Sequence, residues 1–357
     1  MNEPKSSRYH RLTRRADVVS LAATASLLTV MLWLRPGVPV ALYVLLLLVL
    51  HALVTLPVAF YRSYVLEHRY DLSAEPASTW LRDHTKAIGI AAVFGVLAGQ
   101  VVYALIEWSS AWWWLATAIA GTLATILLAR LAPVLLLPLF YRFTPLDRPE
   151  LSARLVELSA RAGVPVLGVF EWGLGAKSRR ANAALVGSGK TRRILVSDTM
   201  LAQYSEDEIE VILAHELAHH VHNDITKGIA VEFALLVAAC YAAATALGQL
   251  WRPLGLGGPA DPAGLPLLLL AAGAVMLAAT PLVNAFSRSN ERRADDFALA
   301  LTGRRDAFVS AMRRLGAQNL AEESPSRAAV WLFHTHPPIE QRIAQARVAG
   351  PQVGGAT

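Results

Sequence analysis

Six apolar stretches constrain this chain more than any other feature: Val18 to Leu34, Pro39 to Tyr61, Ala87 to Ile106, Ala111 to Leu131, Gly228 to Leu250 and Leu265 to Phe286. Each is close to the roughly 20 apolar residues that cross a bilayer as a helix. Backbone polar groups inside lipid must be satisfied within the span, so such runs fold as helices. Only 17% of the residues are charged and 54% are hydrophobic, whereas about a quarter are charged in an ordinary soluble domain. The basic start before Val18 (Lys5, Arg8, Arg11, Arg14, Arg15) resembles a signal peptide. No small-x-small cleavage pattern follows, however, and a second apolar run begins almost at once, so an uncleaved pair of spans is expected.

Basic residues then set the topology. With the amino terminus inside, the outer loops hold only Arg35 and Arg252, and every other Lys or Arg except Arg130 falls in inner segments. Positive charge stays on the cytoplasmic side, so a multi-pass cell-membrane protein is expected, with residues 142–227 and 287–357 both cytoplasmic. Residues 1–141 form an amino-terminal membrane domain of four spans, and 228–286 hold two more. Net charge is +6, but no basic face interleaved with aromatics appears, and nucleic acid is not an expected partner. The bilayer is. Cys240 is the only cysteine, which excludes a disulfide framework and a thiolate metal site.

Between the fourth and fifth spans the composition becomes mixed. Glu150 to Ala162 reads as an amphipathic helix, and Val164 to Trp172 and Ala184 to Ser197 as strands separated by the polar turn Gly173 to Arg180. Gly187, Gly189 and Lys190 lack the spacing of a phosphate loop and read as a hairpin turn. Ser205 to Asn223 reads as a helix, with Ser205 and Glu208 as a capping box. The tail after Ser287 is charged and helical to about Arg347, and Gly354-Gly355 reads as a frayed end.

The helix from Ser205 carries His215-Glu216-Leu217-Ala218-His219. Residues four apart share a helix face, so both imidazoles can reach one metal. Glu216 then lies beside the open position, where its carboxylate can take a proton from water. A catalytic zinc needs a third protein ligand. His220 points a quarter turn away, and His222 lies about 10 Å along the helix. Asp224, Glu291, Asp295, Asp296, His334 and His336 remain as same-side candidates. Glu291 and Asp295 share a face at what reads as a helix start just past the sixth span. One can bind metal while the other holds the second ring nitrogen of a ligand histidine.

The His215–His219 pentapeptide, taken with Ser287-Arg288-x-x-Glu291-x-x-Ala294-Asp295, resembles the integral-membrane zinc metalloproteases of the type I CAAX prenyl endopeptidase family. Leu56-Pro57-Val58-Ala59-Phe60-Tyr61, Val65-Leu66-Glu67 and Trp80-Leu81-Arg82-Asp83 are similar to its membrane domain, and Pro138 to Leu146 to the entry into its protease domain. Asn182-Ala183, Gly187, Gly189-Lys190 and Ser197 to Leu201 are similar to its edge-strand region, and Thr335-His336-Pro337-Pro338 with Arg342 to its carboxy-terminal motif. His220 to Asp224 leans toward the related heat-shock membrane proteases of bacteria. The resemblance implies a mainly α, multi-span helical membrane protein with a zincin-like metalloprotease domain containing a small β-sheet. Six spans are counted, one fewer than in eukaryotic members.

It further implies one Zn2+ per chain on His215, His219 and Glu291, with Glu216 as general base and Asp295 orienting a ligand histidine. Asn182 and Ala183 would hold substrate backbone by strand addition. His336 and Arg342 would sit at the substrate carbonyl or its carboxyl end. The implied substrates are peptides or membrane proteins, either of CAAX type or quality-control clients. A membrane metal transporter or sensor using the His cluster is the alternative; it needs ionisable residues along the spans, and only Arg130 and Glu232 qualify. Arg130 would cost about 2.5–3.5 kcal/mol at the bilayer centre and is expected to snorkel, with pairing to Glu232 or Asn284 open. Trp108, Trp112, Trp113 and Trp114 read as an interfacial anchor.

Overall fold

The computed structural model describes residues 4–187, 189–322 and 324–348; Gly354 and Gly355 lie outside them. The chain opens with α1 (Lys5–Leu34), which starts a full polar segment ahead of the apolar run expected from Val18. Arg35, in the left-handed region at φ 44°, ends it. Then come α2 (Val40–Phe60), a π-helical turn (Tyr61–Val65), α3 (Leu66–Arg69), α4 (Ala77–Trp108) and α5 (Trp113–Leu131). The protease-side elements follow: β1 (Phe143–Pro145), α6 (Pro149–Arg161), β2 (Val169–Trp172), β3 (Ala183–Val186), β4 (Arg193–Ser197), α7 (Asp198–Gln203) and α8 (Glu206–Val221). The chain closes with α9 (Asp224–Leu250), α10 (Leu265–Thr302), α11 (Arg305–Gln318), α12 (Arg327–Phe333) and α13 (Ile339–Val348).

Six helices among the described residues are long and apolar enough to cross a membrane. Between 6% and 22% of each span's most apolar window is buried inside the protein, so most of its apolar surface is left for lipid. Close packing occurs where side chains are small: a Cβ at Gly99 of α4 would lie 2.6 Å from Val44 Cγ2 of α2, and small residues let membrane helices approach in this way. Arg35 donates to the Gly255 carbonyl at 3.2 Å, and at the opposite end of the bundle Arg14 bonds Glu322 at 2.9 Å. The amino terminus and the tail thus share one end, as an even number of crossings requires.

Some expectations are corrected. Val164 to Trp172 is a strand only from Val169, because Gly163 sits at φ 70° and Pro165 lacks an N–H for a ladder. Glu291 and Asp295 stand at no helix start: α10 runs unbroken through the span and past them, with neither Gly nor Pro between Phe286 and Asp295, and stops at Gly303, φ 65°. Glu232 accepts from Thr125 Oγ1 at 2.7 Å and Asn284 donates to the Leu332 carbonyl, while Arg130 is exposed in the last turn of α5. The Trp cluster divides, since Trp113 is buried in the bundle while Trp108 and Trp112 are exposed.

The sheet has the order β1-β2-β4-β3, with β2 parallel to β4 and the other pairs antiparallel. The hairpin between β3 and β4 needs glycine at its first turn position. Gly187 has φ 87°, and a Cβ there would lie 2.5 Å from the Thr191 carbonyl oxygen. One core joins Leu151 and Leu155 of α6, Ile194 of β4, Leu213 of α8, Phe308 of α11 and Ile343 of α13, most of them wholly buried. That core clamps α8 between the sheet, α10 and α11.

Candidate active site

Helix α8 begins at the expected capping box: Ser205 Oγ accepts from the Glu208 N–H and Glu208 Oε2 accepts from the Ser205 N–H. The helix is buried along most of its length because its core face is apolar (Ile209, Leu213, Leu217), and this sets the outward angle of the histidines. The rings of His215 and His219 are 5.0 Å apart and nearly perpendicular. Both Nε2 atoms face the Glu291 carboxylate of α10, at 3.2 Å from His215 to Oε2 and 3.6 Å from His219 to Oε1. His215, His219 and Glu291 form a group whose ligand atoms all lie within 4.8 Å of one another.

The other ring nitrogens are held by acids. His215 Nδ1 donates to Asp295 Oδ1 at 2.9 Å, and His219 Nδ1 donates to Asp224 Oδ2 at 3.0 Å. Each acid is gripped in turn by an arginine. Arg342 of α13 binds Asp295 through Nε at 2.8 Å and Nη2 at 2.5 Å, and Arg293 Nη2 donates to Asp224 Oδ1 at 3.0 Å. A metal fits this arrangement. Glu291 Oε2 is buried without a hydrogen-bond partner, although nitrogens stand near it, and two imidazoles plus a carboxylate are the donor set of a catalytic zinc. Fixing each Nδ1–H on an acid leaves each Nε2 lone pair for a metal.

Glu216, on the same turn, faces a cavity of about 600 Å³ that Asn182, Ala183, His336 and Arg342 also line. Burial pushes the Glu216 carboxyl above the usual carboxylate range, against the opposing pull of His215 and His219. A carboxyl whose proton affinity is raised takes up a proton more readily than a solvated one. His336 lies on the exposed cleft wall with Nδ1 2.8 Å from Glu291 Oε2. Ser197 takes both backbone groups of Asn182: its Oγ accepts from the Asn182 N–H and its N–H donates to the Asn182 carbonyl. Ala183, the next residue on edge strand β3 and opposite Val196, therefore turns its N–H and C=O away from β4, as antiparallel alternation requires.

Arg342, expected at the substrate carbonyl or its carboxyl end, lines the cleft but grips Asp295 through its Nε and Nη2. His220 turns to the sheet and bonds the Leu185 backbone, and the His222 ring packs on Phe297 at 5.6 Å; neither joins the metal group. Sequence reading missed that Asp224 is the partner of His219. An acid five residues after the second histidine, just past the helix end, is the signal that could have found it. It also missed that α1 reaches the cleft, where His10 and Arg14 form part of the wall.

Residues 145–349 match peptidase family M48, and residues 16–142 match the CAAX prenyl protease N-terminal family, described as five membrane helices. The metalloprotease YhfN of Bacillus subtilis is 30% identical over 327 residues, covering 88% of this chain and 76% of that protein. A CAAX prenyl protease 1 homolog of Arabidopsis thaliana is 26% identical, covering 81% of this chain and 68% of its own. The crystal structure of S. mikatae Ste24p superposes with a TM-score of 0.75 at 23% identity, over 84% of this chain and 73% of that one, so the fold is shared. The family match spans more than half of the chain and includes the His-His-Glu group beside the cleft: this chain is a membrane metalloprotease belonging to peptidase family M48.

Proposed function

We propose that the chain is a zinc endopeptidase cleaving peptide bonds at the cytoplasmic membrane face. One Zn2+ would be held by His215, His219 and Glu291. The observation that carries the reading is the convergence of two histidine Nε2 atoms on the Glu291 carboxylate, with Glu216 facing the same cleft. Zinc bound there supplies Lewis acidity to the scissile carbonyl. Glu216 accepts the proton of the attacking water and returns it to the leaving amine. Ala183 offers the outward N–H and C=O of an edge strand to the substrate backbone, and Asn182 adds its side chain beside them. His336 donates toward the oxyanion, and Arg342 acts through Asp295 by keeping His215 oriented. The protease unit comprises residues 142–227 and 287–357, and the membrane domain residues 1–141 and 228–286.

The cytoplasmic placement is supported by the distribution of Lys and Arg, which leaves only Arg35 and Arg252 in the outer loops. The substrate class is CAAX-type peptides or membrane proteins under quality control; the likeness to a CAAX prenyl protease 1 homolog supports the first. Glu216→Gln is expected to retain zinc and to lose peptide cleavage. Wild-type cleavage by that variant would remove Glu216 as the base. Membrane proteins that accumulate in cells carrying Glu216→Gln, identified by mass spectrometry, would name the substrates.

A further inference from the structure

The short helix α12 ends in Trp331-Leu332-Phe333, and all three side chains are exposed, Trp331 by 53%. Single exposed apolar residues are ordinary, but three in succession at the tip of a helix need a cover. Their depth is set from two sides. On one side α10 holds the backbone of α12: Asn284 Nδ2 donates to the Leu332 carbonyl at 2.7 Å, and Arg288 Nη1 donates to the carbonyls of Val330 and His334 at 2.9 and 2.6 Å. Both donors are buried. Leu282 stands two residues earlier and is 71% exposed on the apolar surface of the span. With a helical rise of 1.5 Å per residue, the Leu332 carbonyl is bonded about 3 Å along the axis from a lipid-facing side chain.

On the other side, the Arg14 guanidinium lies 5.8 Å from the centre of the Phe333 ring. The exposed apolar run of α1 begins four residues later at Val18, about 6 Å further along that helix. The tip is thus pinned between two spans at the level where each changes from polar to apolar. A Trp at that depth is characteristic of the membrane interface, and a short apolar helix end dips there into the boundary between headgroups and acyl chains.

We propose that the α12 tip, Trp331 to Phe333, is inserted into the bilayer at the cleft side of the membrane, with lipid as its covering partner. The chain runs from the tip straight into Thr335, His336 and Pro337, and Phe333 itself lines the cleft. The anchor and one wall of the active site are therefore a single segment, and a polypeptide reaching the cleft past Phe333 passes beside lipid.

Site-directed spin labelling tests this on the full-length protein in phosphatidylcholine nanodiscs. The only cysteine, Cys240, is first replaced (Cys240→Ser), and labels are then placed with Trp331→Cys, with Leu282→Cys as a lipid-facing control and with Glu340→Cys as an exposed control on α13. The expected result is that oxygen accessibility exceeds that of a water-soluble nickel chelate at 331 as it does at 282, and falls below it at 340. Nickel access at 331 equal to that at 340 overturns the proposal, as does exclusion of both reagents, which would mean that protein covers the tip. A label-free check guards against perturbation by the cysteine. The fluorescence quenched by brominated phosphatidylcholine should be smaller in Trp331→Phe than in the unsubstituted protein, and an unchanged value would also overturn the proposal.

Discussion

The two histidines proposed as zinc ligands stand one helical turn apart and are supported by the same kind of chain, imidazole to carboxylate to guanidinium, yet the two supports differ in depth. The His215 side chain is 9% exposed, and Arg342 at the end of its support is also 9% exposed. The His219 side chain is 23% exposed, and Arg293 at the end of its support is 43% exposed. Depth decides how strongly each support holds. A carboxylate–guanidinium pair away from water is barely screened, while an exposed pair exchanges with solvent and salt. The inner support also joins three elements distant in sequence, α8, α10 and α13. The outer one ties the end of α8 to the first residue of α9 and to α10. Both supports reach across the fold, and what separates them is that the guanidinium behind His215 is buried while the one behind His219 is part exposed.

That contrast can be broken by substitution. The largest effect is expected for Arg342→Ala, which strands the Asp295 carboxylate in a buried site. Removing one partner of a buried ion pair destabilises by about 3–5 kcal/mol, and thermal unfolding of the purified protein in detergent would register it. Asp295→Asn comes next, with zinc retention against a competing chelator weakened toward the upper end of the 10–100-fold range for a lost ligand-orienting group. Asp224→Asn should weaken retention toward the lower end, about 10-fold. Equal losses for the two Asn variants would show that depth does not separate the supports. The smallest effect is expected for Arg293→Ala, about 1 kcal/mol, because its side chain is 43% exposed and Lys227 also stands near Asp224; a change in unfolding temperature as large as that of Arg342→Ala would erase the distinction.

How far sequence reading reached followed the range of the interactions involved. The capping box at Ser205 and Glu208, the hairpin at Gly187 and the six apolar runs depend on residues close in sequence, and all three are present. The His215–His219 pair is likewise local, since helix geometry alone places both rings on one face. Where α10 ends was not legible, because the change from apolar to polar at Ser287 marks the membrane boundary and not the helix boundary. The backbone has no reason to break where only the solvent changes. The partner of His219 was missed because Asp224 lies beyond the left-handed Asn223, where helical spacing no longer says which way a side chain turns.

Sequence by itself determined the class of molecule and which residues are candidates for its chemistry. Twenty-residue apolar runs have one low-energy form in lipid, and a helix carrying His, Glu and His at that spacing presents a metal-binding face. The tertiary structure decided the division of labour among the acids. Glu291 faces both imidazoles, Asp295 and Asp224 stand behind them, and Arg342 holds Asp295 although it lies 47 residues away. Those assignments depend on how α8, α10 and α13 pack around one core. A carboxylate's role is set by which atom it meets within about 3 Å, a distance that residue order does not encode.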